Sequence, residues 1–537
     1  MEWSRRSFAL ASVLAGLAVG AVPAARATDV PAAVATPSPL CTPRTQPIPT
    51  APASLVSDTV VAGSAGRLHH LVLHSPAMGA DEVVNVLLPP GYDPRGSVRY
   101  PVLYLLHGSA QNAQSWVQQS ADKPGGPNPG IQQLIDQDTR AEHLAPFITV
   151  IPEGGIFGWY TDWYGADVTG NTPSPVPAWA TFHIGELLPW IDAHYRTIPD
   201  RQHRAIAGLS MGGFGAMSYA ARYPDLFGSA ASFSGVVDTD ANYPGTGTLV
   251  GELLSPVISG SLFYGGSQLP YNCIWGDQIT SDVRWRGDNP TYLATNLSHT
   301  SLFIAYGNGQ PGPYDNLSTP AGQQQYASGL VEVGESIDAA GLVAILRSNN
   351  IPFTLYDYGP GSHTFPYFLR DLTKFLPQMN AQFTQQPHPE NGPFTFRTTK
   401  TTFSRGGWQF TAHHPALEFT YLRNVSQTGL TAIGSGTVDV VSAPAYLSDH
   451  RYRVTVATSG PGVAKRTSTI VSADSRRRIG FPVDLGPAHT TQQYVFGADT
   501  TAYPIDETPP GSPPQQLYAM DTPPGWAQAV VTVQPIG

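Results

Sequence analysis

Three rhythms of hydrophobic and polar positions follow one another along the chain. The middle stretch alternates short continuous apolar runs with longer runs of helical period. "YPVLYLLHG" (100–108), "FITVIPEGG" (147–155), "RAIAGLS" (204–210), "FGSAASFSGV" (227–236), "TSLFIAYGNG" (300–309) and "IPFTLYDYG" (351–359) predict buried strands. Between them, "AWATFHIGELLPWIDAHY" (178–195) sets Phe182, Leu187, Leu188 and Ile191 at helical spacing, and 329–350 and 366–379 predict two further helices. "GFGAMSYAARYPD" predicts a small-residue helix stopped by Pro224. Apolar strands alternating with helices imply an α/β class, with a mostly parallel sheet covered on both faces. Ahead of them, "LHHLVLHSPAMGADEVVNVLLPPGYDP" predicts two strands around a small turn.

Near residue 384 the rhythm changes. After a "TQQPHPENGP" linker come only strand-like runs, among them "FTFRTTKTTF", "LEFTYLRNV", "YRVTVATSG" and "AVVTVQPIG". They predict a C-terminal all-β, sandwich-like domain, with "YPIDETPPGSPP" as a loop before its last strand. The N-terminus has a third pattern. Arg5 and Arg6 precede an apolar run from Phe8 to Val22, and Ala25-Arg26-Ala27 supplies small residues at a cleavage site. The run falls short of the roughly 20 residues a membrane span needs, and "SRRSFAL" resembles a twin-arginine export signal. The expected division is a signal peptide at 1–27, a Pro/Ala-rich linker at 28–55, an α/β domain at 56–383, a linker at 384–393 and a β domain at 394–537. The protein is expected to be secreted, or held in the cell envelope, with no transmembrane segment after processing.

Composition sharpens this only a little. At 537 residues the chain is long for one domain. Charged residues are 13%, about half the usual share, while 54 glycines and 51 prolines announce many turns. A net charge of −10 gives no basic footprint for nucleic acid. Two cysteines, Cys41 and Cys273, make neither a disulfide scaffold nor a zinc site, although an oxidising compartment would let them pair. Asp282 and Asp288 lack a calcium-loop pattern, and no metal or organic cofactor is implied.

The chemistry begins at "AIAGLSMGGFGAMSYAARYPD" (205–225). Gly208-Leu209-Ser210-Met211-Gly212 is a G-x-S-x-G pattern between a predicted strand and a predicted helix, the setting of a nucleophile elbow. So tight a turn needs small neighbours, supplied by Gly208, Gly212 and Gly213. The helix N-terminus that follows offers N–H groups to a developing oxyanion. Serine needs a base. In this arrangement the order is Ser, acid, His, with the histidine after the last strand, and His363 in "YDYGPGSHTFPYF" stands there. The acid lies between them; Glu332, Glu335, Asp338 and the less well placed Asp315 all qualify on spacing. The oxyanion donors are the N–H of Met211 and the N–H of Ser109 after "VLYLLHG", with His107 and Gly108 lining the same cleft.

Residues 60 to 380 resemble the esterase D and antigen 85 branch of the α/β-hydrolases, closest to actinobacterial secreted esterases. The resemblance rests on "YLLHG", "WYTDWYG", "WATFHIGELLPWID", "GLSMGGFGAMSYAARYPDLF", "SFSG", "IWGD" with "WRGDNP", "AYGNG" and "GSHTF". It implies an α/β-hydrolase fold. It aligns the family's glutamate with Glu332, and it implies that Asp162, Trp163 and Phe365 lie at the substrate cleft. In mycolyltransferases an Asp-Gly-Leu-Arg stretch grips the sugar acceptor; here His107-Gly108-Ser109-Ala110 carries no arginine.

The leading expectation is an exported serine carboxylic-ester hydrolase with a Ser-His-Glu triad and an acyl-enzyme, acting on an ester such as a lipid or acyl sugar. An acyltransferase, in which an alcohol replaces water, shares the same acyl-enzyme. A reading of another class is a non-catalytic protein that holds cell wall or polysaccharide through the β domain, where "WQFTAHH" carries aromatic and histidine residues. Against it, every triad position is filled.

Overall fold

The computed structural model describes residues 41–118, 129–167, 175–239, 272–276, 278–320, 322–323, 328–385, 393–493 and 526–536. The signal peptide expected at 1–27, residues 28–40 of the first expected linker, residues 386–392 of the second and the "YPIDETPPGSPP" loop lie outside them.

The elements follow in chain order. The first are β1 (Cys41–Pro43), β2 (Ser54–Val60), β3 (Leu68–Ser75), β4 (Ala80–Leu87), β5 (Val102–Leu106), α1 (Ile131–Ala141), β6 (Ile148–Pro152) and β7 (Gly165–Asp167). A π-helical stretch, Thr181–Leu187, runs into α2 (Leu188–His194), and β8 (Arg204–Leu209) leads to α3 (Met211–Arg222) and β9 (Ser229–Phe233). Then come α4 (Asn272–Trp275), α5 (Gln278–Asp288), β10 (Ser301–Tyr306), α6 (Gly329–Ser348), β11 (Thr354–Asp357) and α7 (Phe365–Thr384).

Nine strands make one sheet in the order β11-β10-β9-β8-β5-β6-β4-β3-β2. From β11 across to β6 every pairing is parallel; β4, β3 and β2 add antiparallel pairings at the other edge. The strands alternate side chains between two cores, as the two-residue period requires. On β5, Val102, Tyr104 and Leu106 enter the core beneath α2, α3 and α6, while Leu103 and Leu105 enter the one beneath α1 and α7. On β10, Leu302 and Ile304 take the first core and Phe303 and Ala305 the second. This two-sided burial is why these strands read as unbroken apolar runs.

β8, at the centre of the parallel part, delivers Ser210 at its carboxyl end, the edge where open α/β sheets bind ligands. The N-terminal stretch is tied to the segment after β6. β1 pairs with β7, and Cys41 and Cys273 form a disulfide across a separation of 232 residues, with Cα atoms 5.4 Å apart. The end of the stretch expected as linker is thus pinned down, and β2 begins within it at Ser54.

After α7, β12 (Phe394–Thr398), β13 (Thr402–Arg405), β14 (Trp408–His413), β15 (Thr420–Ser426), β16 (Gly429–Gly434), β17 (Thr437–Val441), β18 (Arg451–Gly460), β19 (Val463–Ser472), β20 (Gly480–Asp484) and β21 (Ala527–Pro535) form two antiparallel sheets. Their orders are β12-β15-β16-β21-β18-β19 and β13-β14-β17-β20, and both feed one apolar core that includes Phe396, Phe410, Leu422, Val440 and Val531. This unit packs at the end of α3 away from Ser210. There buried Arg405 meets Asp225 at 3.0 Å, and the Tyr292 and Tyr421 hydroxyls are 2.9 Å apart.

Candidate active site

Ser210 links β8 to α3 with φ 53° and ψ −124°, a backbone conformation that non-glycine residues rarely adopt and that functional sites hold under strain. The glycines around it are dictated by contact. A Cβ on Gly208 would lie 2.2 Å from the Gly212 carbonyl oxygen, and one on Gly212 would lie 2.6 Å from the carbonyl oxygens of Leu106 and His107. Only glycine lets the elbow fold against the end of β5. The serine N–H donates to the Phe233 carbonyl at 2.9 Å, and its carbonyl accepts from the N–H groups of Gly213 and Phe214.

Ser210 Oγ has one hydrogen-bond partner among the described residues, Glu335 Oε1 at 3.5 Å. Glu335 Oε2 is 3.5 Å from His363 Nδ1, which also lies 2.8 Å from Glu332 Oε2. Both glutamates are wholly buried on α6, one turn apart, and His363 stands on the loop between β11 and α7. The structure thus brings Ser210, Glu332, Glu335 and His363 together from three separate loop and helix positions.

The two carboxyls differ in surroundings. Glu332 Oε1 accepts from Ser234 Oγ at 2.7 Å, from Gly307 N–H at 2.6 Å and from the Tyr358 hydroxyl at 3.1 Å, while Oε2 faces His363. Burial pushes the Glu332 carboxyl up, but the His363 hydrogen bond and charge, with the Gly307 and Ser234 donors, outweigh it and hold the group below its ordinary value. Burial, together with the charges of Glu332 and Asp338, drives Glu335 well above the ordinary value. Glu335 Oε2 has no hydrogen-bond partner among the described residues. Asp338 is buried further along α6. Asp315 is committed elsewhere: it accepts from the Tyr367 hydroxyl at 2.7 Å and from Ser362 Oγ, bracing the loop that carries His363.

On the other side of Ser210, Gly108 packs so closely that a Cβ there would sit 3.1 Å from the Ser210 Cβ and 2.5 Å from Leu209 Cδ1. His107 is fully buried. Its Nδ1 faces the Gly108 carbonyl at 2.9 Å, and its Nε2 accepts the Gly154 N–H at 2.9 Å. Ser109 follows, its Oγ buried without a partner among the described residues. Met211 heads α3, its Sδ accepting the Trp159 N–H at 3.4 Å.

The residues that the resemblance put at the cleft have structural work of their own. Asp162 caps the π-helical stretch through both carboxylate oxygens, accepting from the Thr181 N–H at 2.9 Å and the Thr181 hydroxyl at 2.8 Å. Trp163 is buried, its indole N–H on the Gly158 carbonyl at 3.0 Å. Phe365 is buried against Trp116, ring centroids 5.2 Å apart. Spacing did not reveal two neighbours of the site. Glu153 takes the N–H groups of Ala113 and Gly155, joining the segment after His107 to the loop after β6. Tyr358 joins Glu332 from the end of β11. The carboxyls and imidazole converge within 4.8 Å of one another. Hydrogen bonds from within the protein already occupy Glu332, and we assign no metal to this cluster.

Residues 75–379 match the family model Esterase. The chain is similar to esterase Rv1288 of Mycobacterium tuberculosis (strain ATCC 25618 / H37Rv), with 32% identity over 310 residues, 56% of this chain and 56% of that protein. It is similar to the diacylglycerol acyltransferase/mycolyltransferase Ag85A of Mycobacterium bovis (strain BCG / Pasteur 1173P2), with 24% identity over 351 residues, 63% of this chain and 89% of that one. The chain spans about half the length of the first of these relatives. Among solved structures, Mycobacterium tuberculosis MPT51 matches at a TM-score of 0.40 and 22% identity, covering 57% of this chain and 96% of that one. A ferulic acid esterase matches at 0.40 and 22%, covering 59% and 98%.

Proposed function

The chain belongs to the Esterase family, and from that premise we propose that it is a serine carboxylic-ester hydrolase with Ser210 as nucleophile, His363 as base and Glu332 as the orienting acid. The observation that carries this reading is the positive-φ elbow at Ser210, set against the pair in which Nδ1 of half-buried His363 meets Oε2 of buried Glu332 at 2.8 Å. Glu332 is the choice over Glu335 and Asp338 because its carboxylate collects converging donors, which suits an ion that must stay ionised beside an imidazolium.

In this reading Ser210 Oγ adds to the ester carbonyl carbon while its proton passes to His363. The N–H groups of Met211 and Ser109 receive the oxyanion. The tetrahedral adduct collapses, the C–O bond to the alcohol breaks, and the imidazolium returns its proton to the departing alkoxide. Water then repeats the sequence on the acyl-Ser210, with His363 taking its proton, and frees the acid. An alcohol in place of water makes the same machinery an acyltransferase, a second reading favoured by the similarity to Ag85A.

We read 56–383 as the catalytic domain and 394–537 as an accessory β-sandwich with cell-wall or polysaccharide contact as its role. The Cys41–Cys273 disulfide supports export to an oxidising compartment. Among the described residues no helix is long and apolar enough to cross a membrane.

The test offers purified protein a short-chain and a long-chain acyl ester, with and without a sugar acceptor, beside Ser210→Ala. Free acid released by the wild type and lost in the variant supports the hydrolase. Acyl sugar formed at the expense of free acid moves the assignment to the transferase, and no turnover of either ester contradicts both.

A further inference from the structure

Glu335 is a buried carboxyl that the mechanism above does not use. It has no exposed surface, yet one of its oxygens lies beside the nucleophile and the other beside the base. Counting donors separates it from its neighbour. Glu332 receives Ser234, Gly307, Tyr358 and His363. Among the described residues Glu335 receives one long contact from Ser210 at 3.5 Å, and its Oε2 has none. The single Nδ1 proton of His363 is directed at Glu332, 0.7 Å closer than Glu335 by the 2.8 and 3.5 Å separations.

A second ionised carboxylate here would therefore be buried, unpaired and next to the first, the case in which a group keeps its proton instead. The charged and titratable groups around Glu335 work the same way. Glu332 and Asp338 face it from its own helix, and both oppose its ionisation. Ser210 faces it from the elbow, and His363, from the loop before α7, is already matched to Glu332. Further out, Asp371 of α7 adds negative charge towards Glu332, with Arg370 as its own partner, and Tyr358 closes the end of β11.

We propose that Glu335 is a positioning residue of the reaction centre: a carboxylic acid that stays neutral through turnover beside Ser210 and leaves a single negative charge, that of Glu332, behind the imidazole. The inference rests on the triad reading. Its consequence is electrostatic. When Ser210 adds to the ester, negative charge develops beside Oγ, and an ionised Glu335 next to that oxygen would repel it in a low-dielectric site. Loss of the Glu335 proton therefore sets an alkaline limit on activity. No proton leaves Glu335 in any step.

The experiment compares wild type, Glu335→Gln and Ser210→Ala as full chains, with kcat/KM for a short-chain acyl ester measured from about pH 5 to about pH 10. The amide preserves shape and cannot ionise. We expect Glu335→Gln to stay within about tenfold of wild type at neutral pH, and the wild-type-to-variant ratio to fall as pH rises. The infrared difference spectrum, wild type minus Glu335→Gln at neutral pH, should carry the carbonyl band of a neutral carboxylic acid. Glu335→Met, apolar and of similar length, serves in both measurements if the amide does not fold. A loss of more than about tenfold at neutral pH, a ratio flat across the range, or carboxylate bands in the difference spectrum would overturn the proposal. Full turnover by Ser210→Ala would instead overturn the triad reading itself, so the two failures are distinguishable.

Discussion

The Tyr160 hydroxyl donates to the His107 carbonyl at 2.8 Å, tying the loop after β6 to the segment that would supply an oxyanion donor. Tyr160 is fully buried at φ 47°, and its ring fills the space that side chains on Gly154 and Gly215 would need, at 2.5 Å in each case. The same ring therefore sets the positions of α3 and of the His107–Ser109 segment. Tyr160→Phe keeps the ring and removes the donor, leaving a carbonyl unpaired in the interior. It is expected to lower stability by about 1–3 kcal/mol. It should lower kcat by roughly tenfold with little change in KM, because the interaction it loosens serves the transition state. Thermal unfolding and steady-state kinetics on the same preparation check both.

The same substitution should cost far more activity at Glu332 than at Glu335. In the triad reading Glu332→Gln removes the charge that steadies the imidazolium, and an amide N–H₂ turned to Nδ1 of His363 favours the wrong tautomer. A fall in kcat of about 10³- to 10⁴-fold is expected, as for an orienting acid in a triad. A Glu332→Gln variant that retains full activity would remove Glu332 from that role.

The two carboxyls also pull stability in opposite directions with pH. Glu332 titrates below its ordinary value in the folded protein, so its contribution is present above that value and is lost as pH falls through the folded one. Glu335 titrates above it. The folded protein keeps a proton that the unfolded chain releases, so stability declines as pH rises beyond the ordinary carboxylate range. Glu335→Gln removes that penalty. Its Tm should exceed that of wild type at neutral and alkaline pH and converge with it in acid, as scanning calorimetry across pH would register. A variant less stable at alkaline pH than wild type would contradict the sign.

The Cys41–Cys273 disulfide closes a separation of 232 residues, and Cys273 is buried. Losing a native disulfide typically costs about 2–5 kcal/mol, and the chain-entropy account puts so long a loop at the upper end of that range. Cys41→Ser should lower Tm accordingly, and reductant should lower the wild-type Tm while leaving the variant unchanged. Turnover below the transition should survive, since neither cysteine is among the residues brought together around Ser210.

Much of the α/β architecture was legible because the physics is local. β5, β8 and β10 enter cores on both faces and so read as apolar runs, and the glycines around Ser210 are compelled by contacts within the elbow. The polar helix α1 and the exposed edge strand β2 were not predicted, the first because its apolar stripe is only Ile131, Leu134 and Ile135, the second because it presents no buried face. The acid stayed open on spacing because Glu332, Glu335 and Asp338 share one buried helix face. What separates them is the set of donors that reaches each, and those come from Ser234, Gly307 and Tyr358, residues far apart in the chain. Cys41 and Cys273 were visible as the two cysteines, but their pairing needed the fold to bring β1 beside β7.

Covalent trapping decides whether Ser210 is the nucleophile. The full chain is incubated with a fluorophosphonate, and the intact mass and the labelled peptide are determined for wild type, Ser210→Ala and His363→Ala. The account predicts one adduct, located on Ser210, absent from Ser210→Ala and formed far more slowly by His363→Ala, with ester turnover lost in proportion to labelling. An adduct on another residue, or full ester turnover in Ser210→Ala, would contradict it.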